Sequence, residues 1–141
     1  MKMKKLKRFK GFTLLELLVV IGIMGIIMAL ATVAYSATQI SGRNARRKQD
    51  VVAIQNALEQ YYSANSFVYP NGSCKEANSH MRSAWPVDPN TETDYDGVET
   101  CSPVSYCICA TMEPANSSAG NSAANCNWNS GKTYYCVGNL Q

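Results

Sequence analysis

From Phe12 to Tyr35 the chain is apolar at nearly every position, apart from Glu16 and a few small or hydroxyl residues, and no charge stands between Glu16 and Arg43. A helix needs about 20 apolar residues to cross the hydrocarbon layer of a bilayer. Gly22 and Gly25 are the kind of small residue that membrane helices use for close packing. The pattern then changes without a break. Val51, Ile54, Leu58 and Tyr61 fall at i, i+3, i+7 and i+10, and no proline precedes Pro70, so the helix is predicted to continue with an apolar stripe along one face. Arg46 and Arg47 precede Asp50 by four and three residues, which allows pairing on one side of that helix. A single helix from Phe12 to Ala64 would be about 80 Å long at about 1.5 Å per residue. Its first half suits lipid and its second half suits packing against a head.

Helix signals stop in SANSFVYP (63–70), where Asn65, β-branched Val68 and Pro70 follow one another and the proline disfavours helix at the residue before it. Residues 71–102 read mostly as loop, with turn chemistry at Asn71-Gly72, Asp88-Pro89 and Asp96-Gly97. Two strand candidates follow. In SYCICATME (105–113), Tyr106, Ile108 and Ala110 alternate with Cys107, Cys109 and Thr111, and KTYYCVG (132–138) is equally rich in strand formers. The polar, small-residue segment between them reads as a long loop. No internal repeat is present.

Charge sharpens the division. Of thirteen basic residues, Lys2, Lys4, Lys5, Lys7, Arg8 and Lys10 all precede Gly11, so the overall charge of +3 becomes −3 for the remainder of the chain. A mildly acidic body argues against a nucleic-acid binder working through a strong general field. The six cysteines, Cys74, Cys101, Cys107, Cys109, Cys126 and Cys136, all lie in the second half. In so small a head they read as a disulfide framework formed outside the cytoplasm.

A basic start followed by an apolar segment is also the layout of a secretory signal peptide, and Ala29-Leu30-Ala31 would supply an A-x-A cleavage site. Glu16 inside the apolar run and the helical pattern beyond Ala31 speak against it. KGFTLLELLVVIGIMGIIMALA instead resembles the N-terminal segment of type IV prepilins and type II secretion pseudopilins: a basic leader ending in glycine, Phe next, and Glu as the fifth residue of the mature chain. The likeness is close over residues 5–35, and NALEQYYSANSFVYP (56–70) is similar to the helix end of pseudopilin-like members. Unlike many members, the apolar helix carries no proline near the membrane exit.

The resemblance implies cleavage between Gly11 and Phe12 by prepilin peptidase and methylation of the new Phe12 amine by the same enzyme. It also implies that Glu16 meets the N-terminal amine of a neighbouring subunit as a filament grows. A carboxylate in hydrocarbon costs about 2.5–3.5 kcal/mol, less near the interface, so a partner is required. The alternative partner is its own helix start, whose N-terminus is partly positive.

In the head, Cys107 and Cys109 share one strand face, so a thiolate metal site with Cys101, Cys126 or Cys136 is the alternative to disulfides. No CxxC knuckle supports it, and six cysteines allow fifteen connectivities. The preferred pairing joins Cys74 to Cys101 and ties Cys107 and Cys109 to Cys126 and Cys136. Glu92, Asp94, Asp96 and Gly97 follow the opening of a calcium loop, but position twelve is Pro103 where a bidentate Glu should stand. Major pseudopilins bind calcium in a head loop, so calcium is an alternative to a solvated acidic turn and the only cofactor in view. Arg43, Arg46, Arg47 and Lys48 form the one basic cluster left after processing, with headgroup contact or inter-subunit pairing preferred over DNA. His80 reads as a solvated loop residue. Apart from a His80–Cys74 thiol pair, which a disulfide at Cys74 would abolish, no catalytic constellation is visible.

The expected molecule is therefore α+β: leader 1–11, membrane and assembly helix 12–35, amphipathic helix 36–66 packed on the head, and a small disulfide-rich antiparallel β head, 67–141. It would be a single-pass cytoplasmic membrane protein with an extracytoplasmic head, later part of an extracellular pilus or cell-envelope filament. Its partners would be membrane lipid, prepilin peptidase, the assembly machinery and other pilin copies. Two alternatives stay open: a pseudopilin of a type II secretion system, and a non-polymerising tethered or secreted binding protein.

Overall fold

The computed structural model describes residues 11–115, 117–128 and 132–141, so leader residues 1–10 lie outside it. The chain forms two compact units, Met1–Ala37 and Thr38–Gln141. One helix, α1 (Leu14–Ala64), supplies the regular structure of the first and opens the second. In the first unit the described side chains from Gly11 onward are all exposed, as a segment built for an apolar solvent would be.

The end of α1 is chemically explicit. Ser66 adopts a left-handed φ of 58°, and the Phe67 N–H donates back to the Tyr62 carbonyl at 3.0 Å. That is the six-to-one bond of a Schellman cap, and its usual apolar contact is made by the Tyr62 and Phe67 rings, 5.6 Å apart and edge-on. The stop thus falls within 63–70, fixed by cap geometry ahead of Pro70.

In the second unit Val51, Ile54 and Leu58 are fully buried, and Tyr61 packs at the margin. They meet Tyr69, Tyr95, Val98, Tyr106, Ile108, Met112 and Val137 in one core. Two antiparallel strands, β1 (Cys107–Thr111) and β2 (Tyr134–Gly138), pair with Cys109 opposite Cys136 and Ala110 opposite Tyr135. Both are shorter than the β-rich stretches 105–113 and 132–138, although the Met112 N–H still reaches the Thr133 carbonyl at 2.8 Å.

Residues 71–102 differ from the loop expectation at one place. Cys74–His80 forms a 3-10 helix whose N-cap, Ser73, accepts from the Lys75 N–H. No strong periodicity marks so short an element in the sequence. It is held from outside, by the Cys74–Cys101 disulfide and by a bond from the Cys74 N–H to the Val98 carbonyl at 2.8 Å. Gly97 lets the chain turn beside β1: its φ is +90°, and a Cβ there would lie 1.8 Å from the Cys107 carbonyl oxygen.

Candidate functional site

At the N-terminal end, Gly11, Phe12 and Thr13 precede α1 in non-helical conformation, and Phe12 is 87% exposed. The Thr13 carbonyl accepts from the Leu17 N–H, which makes Thr13 the N-cap. Its Oγ1 accepts from the Glu16 N–H at 3.2 Å, while Glu16 Oε2 accepts from the Thr13 N–H at 3.4 Å. This reciprocal pair is a capping box, T-x-x-E. The cap has two consequences. The Gly11–Phe12 peptide stays outside the hydrogen-bonded ladder, between two exposed residues. Glu16 is meanwhile held by its own helix start, the alternative partner the sequence offers.

In the head two of the four basic residues of the cluster, Arg43 and Arg47, turn to carboxylates of the chain itself. Arg47 is 3% exposed. It does not pair with Asp50. Its Nε donates to Asp88 Oδ2 at 2.5 Å, Nη2 to Asp88 Oδ1 at 3.1 Å, and Nη2 also pairs with Glu113 Oε1 at 2.5 Å. Arg43 forms a second ion pair with Glu113. Asn44 completes the clamp, donating to the Glu113 carbonyl at 2.6 Å and accepting from its N–H at 2.9 Å. Of the cluster, Arg46 remains exposed, 3.8 Å from Asp50, and Lys48 lies over the Tyr135 ring at 5.3 Å.

These contacts set the ionisation of the clamp. The hydrogen bond from Arg43, opposed by burial and reinforced by Arg47, holds the Glu113 carboxyl below the usual carboxylate range. Burial alone would raise Asp88, but hydrogen bonds from Arg47 and from the Asn90 and Thr91 N–H groups outweigh it and lower the pKa. Both groups therefore stay charged at neutral pH.

Glu59 forms a second hub, unremarked by any sequence motif. It accepts from the Tyr106 hydroxyl at 2.8 Å, the Tyr69 hydroxyl at 3.0 Å and the Leu140 N–H at 3.1 Å. Burial first, then the bond to Glu59, pushes both tyrosines well above their ordinary pKa. One carboxylate on α1 thus fastens the end of the helix to Tyr69, to Tyr106 just ahead of β1, and to Leu140.

The six cysteines form three disulfides, Cys74–Cys101, Cys107–Cys126 and Cys109–Cys136. Cys109–Cys136 crosses directly between paired strands, and Cys107–Cys126 ties the long loop to β1. The disulfide at Cys74 leaves no thiol there for His80. His80 is half-buried at the end of the 3-10 helix, its ring 6.0 Å from that of Tyr61 and edge-on, rather than a solvated loop residue. Of the acidic trio, Asp94 pairs with Lys75 at 2.6 Å, Asp96 bridges Cys109 through its backbone, and Glu92 is exposed with φ +57°. Among the described residues, the one close group of three or more metal-capable side chains is Cys107, Cys109, Cys126 and Cys136.

Residues 6–32 match the family model described as the prokaryotic N-terminal methylation motif. That motif is the signature of type IV pilins and pseudopilins, and it covers 27 of the 141 residues of this chain. No curated protein and no solved structure gives a significant match. The motif, the exposed apolar half of α1 and the disulfide-linked α+β head together fit a membrane-anchored structural subunit.

Proposed function

We propose that the chain is a structural subunit of a type IV pilus-like filament. Prepilin peptidase cuts between Gly11 and Phe12 and methylates the Phe12 amine, and the subunit then polymerises through the apolar half of α1. The observation that carries this reading is the helix start: an exposed Gly11–Phe12 peptide, a capped first turn and Glu16 one turn in, followed by a run of exposed apolar side chains.

Cleavage frees an amine next to the capping box. The carboxylate then has a cation to serve, its own or that of a neighbour, in surroundings of low dielectric where an unpaired charge is costly. Pairing with a neighbour favours one register among the apolar helices, as a buried polar contact can. Heterologous contacts that do not close generate a helical fibre. No step of turnover is involved.

The decisive measurement is the intact mass of the mature protein. Loss of residues 1–11 with gain of one methyl group supports the reading, whereas cleavage after Ala31 or retention of residues 1–11 refutes it. Glu16→Ala should still insert in the membrane and be cleaved, but should fail to assemble. The absence of proline through α1 and the Tyr69-Pro70 helix end also suit a short pseudopilus. Recovery of the subunit in sheared surface fibres would exclude that second reading.

A further inference from the structure

The two disulfides of the sheet differ in access. Cys109 and Cys136 are 2% and 1% exposed, whereas Cys107 and Cys126 are half-buried. The two bonds are also in contact. Cys107 Sγ lies 3.6 Å from Cys109 Sγ, and all four sulfurs lie within 4.8 Å of one another. Thiol–disulfide exchange requires a thiolate to reach a disulfide sulfur, so access decides which bond an outside reagent attacks. Here the outer bond is the less buried of the two, and one of its sulfurs already touches the inner bond.

We propose that Cys107 is a relay thiol through which the buried Cys109–Cys136 disulfide is opened and formed, so that a dithiol oxidoreductase acts on this sheet by way of the Cys107–Cys126 bond. In the reducing direction, a thiolate of the dithiol attacks Cys126 Sγ, the Cys107–Cys126 bond breaks, and Cys107 leaves as thiolate. The second thiol of the reagent resolves the mixed disulfide at Cys126 and departs oxidised, having supplied two electrons. Cys107 thiolate then attacks Cys109 Sγ. The Cys107–Cys109 bond forms, the Cys109–Cys136 bond breaks, and Cys136 leaves as thiolate and takes a proton from water, with no net electron transfer. A second dithiol opens Cys107–Cys109. Oxidation runs the same steps backwards from the disulfide form of the partner.

The relay bond is suited to be transient. Alternate residues of a strand lie about 6.6–6.8 Å apart, at the upper limit of the Cα separation a disulfide spans. Cys109 and Cys136 are held opposite each other by the pairing of β1 with β2, so the resting pairing returns when an oxidant is present. The protonated Cys136 thiol has an acceptor ready in the Ala123 carbonyl at 3.5 Å.

The test compares two variants of the full chain in detergent, both lacking the outer bond and therefore equally loosened: Cys126→Ala, which keeps the Cys107 thiol, and Cys107→Ser/Cys126→Ala, which lacks it. With millimolar dithiothreitol as the probe, alkylation and peptide mass mapping follow the opening of Cys109–Cys136. Opening should be at least about tenfold faster in Cys126→Ala, because a thiolate held against its target acts at an effective concentration far above that of the reagent. Equal rates would overturn the relay. Should either variant fail to fold, partial reduction of the unmodified chain decides instead. A Cys107–Cys109 linked species with Cys136 alkylated supports the proposal, and alkylation of Cys109 and Cys136 while Cys107–Cys126 is intact overturns it.

Discussion

Removing the guanidinium of Arg47 should be among the most damaging single changes in the head. Arg47→Met keeps most of the aliphatic stem, so packing along α1 is largely preserved, but it strips Asp88 of both its side-chain donors and Glu113 of one. Breaking a buried ion pair by deleting one partner costs about 3–5 kcal/mol, because the remaining charge is left uncompensated. The lower end applies here: the side chains of Asp88 and Glu113 are 12% and 25% exposed, Asp88 keeps the Asn90 and Thr91 N–H groups, and Glu113 keeps Arg43. A loss of about 3 kcal/mol in a unit of about a hundred residues lowers Tm by roughly 12–20 °C. Thermal unfolding of the disulfide-intact chain in detergent reads this directly.

The pH dependence gives a second arm. The folded pKa values of Asp88 and Glu113 are lowered, so their stabilisation is fully present above the ordinary carboxylate range and is lost as pH falls below that range through the folded values. In Arg47→Met that acid-linked loss should shrink. Asp88→Asn should cost far more than Arg46→Ala, whose exposed pair with Asp50 is worth at most about 0.5 kcal/mol. A Tm change of only a few degrees in Arg47→Met, with an unaltered acid limb, would refute the buried-clamp account.

Three further outcomes follow from the geometry. Glu59→Leu should destabilise the head by about 2–3 kcal/mol in urea unfolding, since two buried tyrosine hydroxyls and the Leu140 N–H lose their acceptor, whereas Glu59→Gln should cost about half as much. Gly97→Ala should yield no folded, disulfide-complete head on non-reducing mass analysis, because the added Cβ would overlap the Cys107 carbonyl at a positive φ. Thr13→Ala removes the N-cap and should weaken the first turn of α1 by about 1 kcal/mol, seen as roughly fivefold faster amide exchange at Glu16; an unchanged rate would refute the capping box.

Much of the architecture was legible in the chain itself because its signals are local. The apolar run, the 3.6-residue stripe through Val51, Ile54 and Leu58, and the absence of proline before Pro70 specify a long two-part helix without reference to anything distant. The alternation around Ile108 and the β-rich run ending at Gly138 likewise specify the two strands, and Asp96-Gly97 specifies a turn. The capping box is local too, with its two members three residues apart.

Tertiary structure alone decided what meets across long separations. From sequence, Arg47 had Asp50 within reach on its own helix, yet it bonds to Asp88, 41 residues away, because the fold brings that carboxylate to the buried side of α1. Glu59 carries no periodic or motif signal, and its partners Tyr106 and Leu140 stand 47 and 81 residues further on. The 3-10 helix at Cys74–His80 is stabilised by its disulfide and by Val98, so its own residues announce it poorly. The pairing preferred from sequence, Cys74 with Cys101 and Cys107 and Cys109 with Cys126 and Cys136, is the one the structure has, but which strand cysteine takes which partner follows from strand register and loop path. Periodicity, caps and turns are properties of neighbouring residues and can be read along the chain. The choice among distant partners of equal chemistry is made by burial, which desolvates one set of charges and sulfurs against each other and leaves the rest in water.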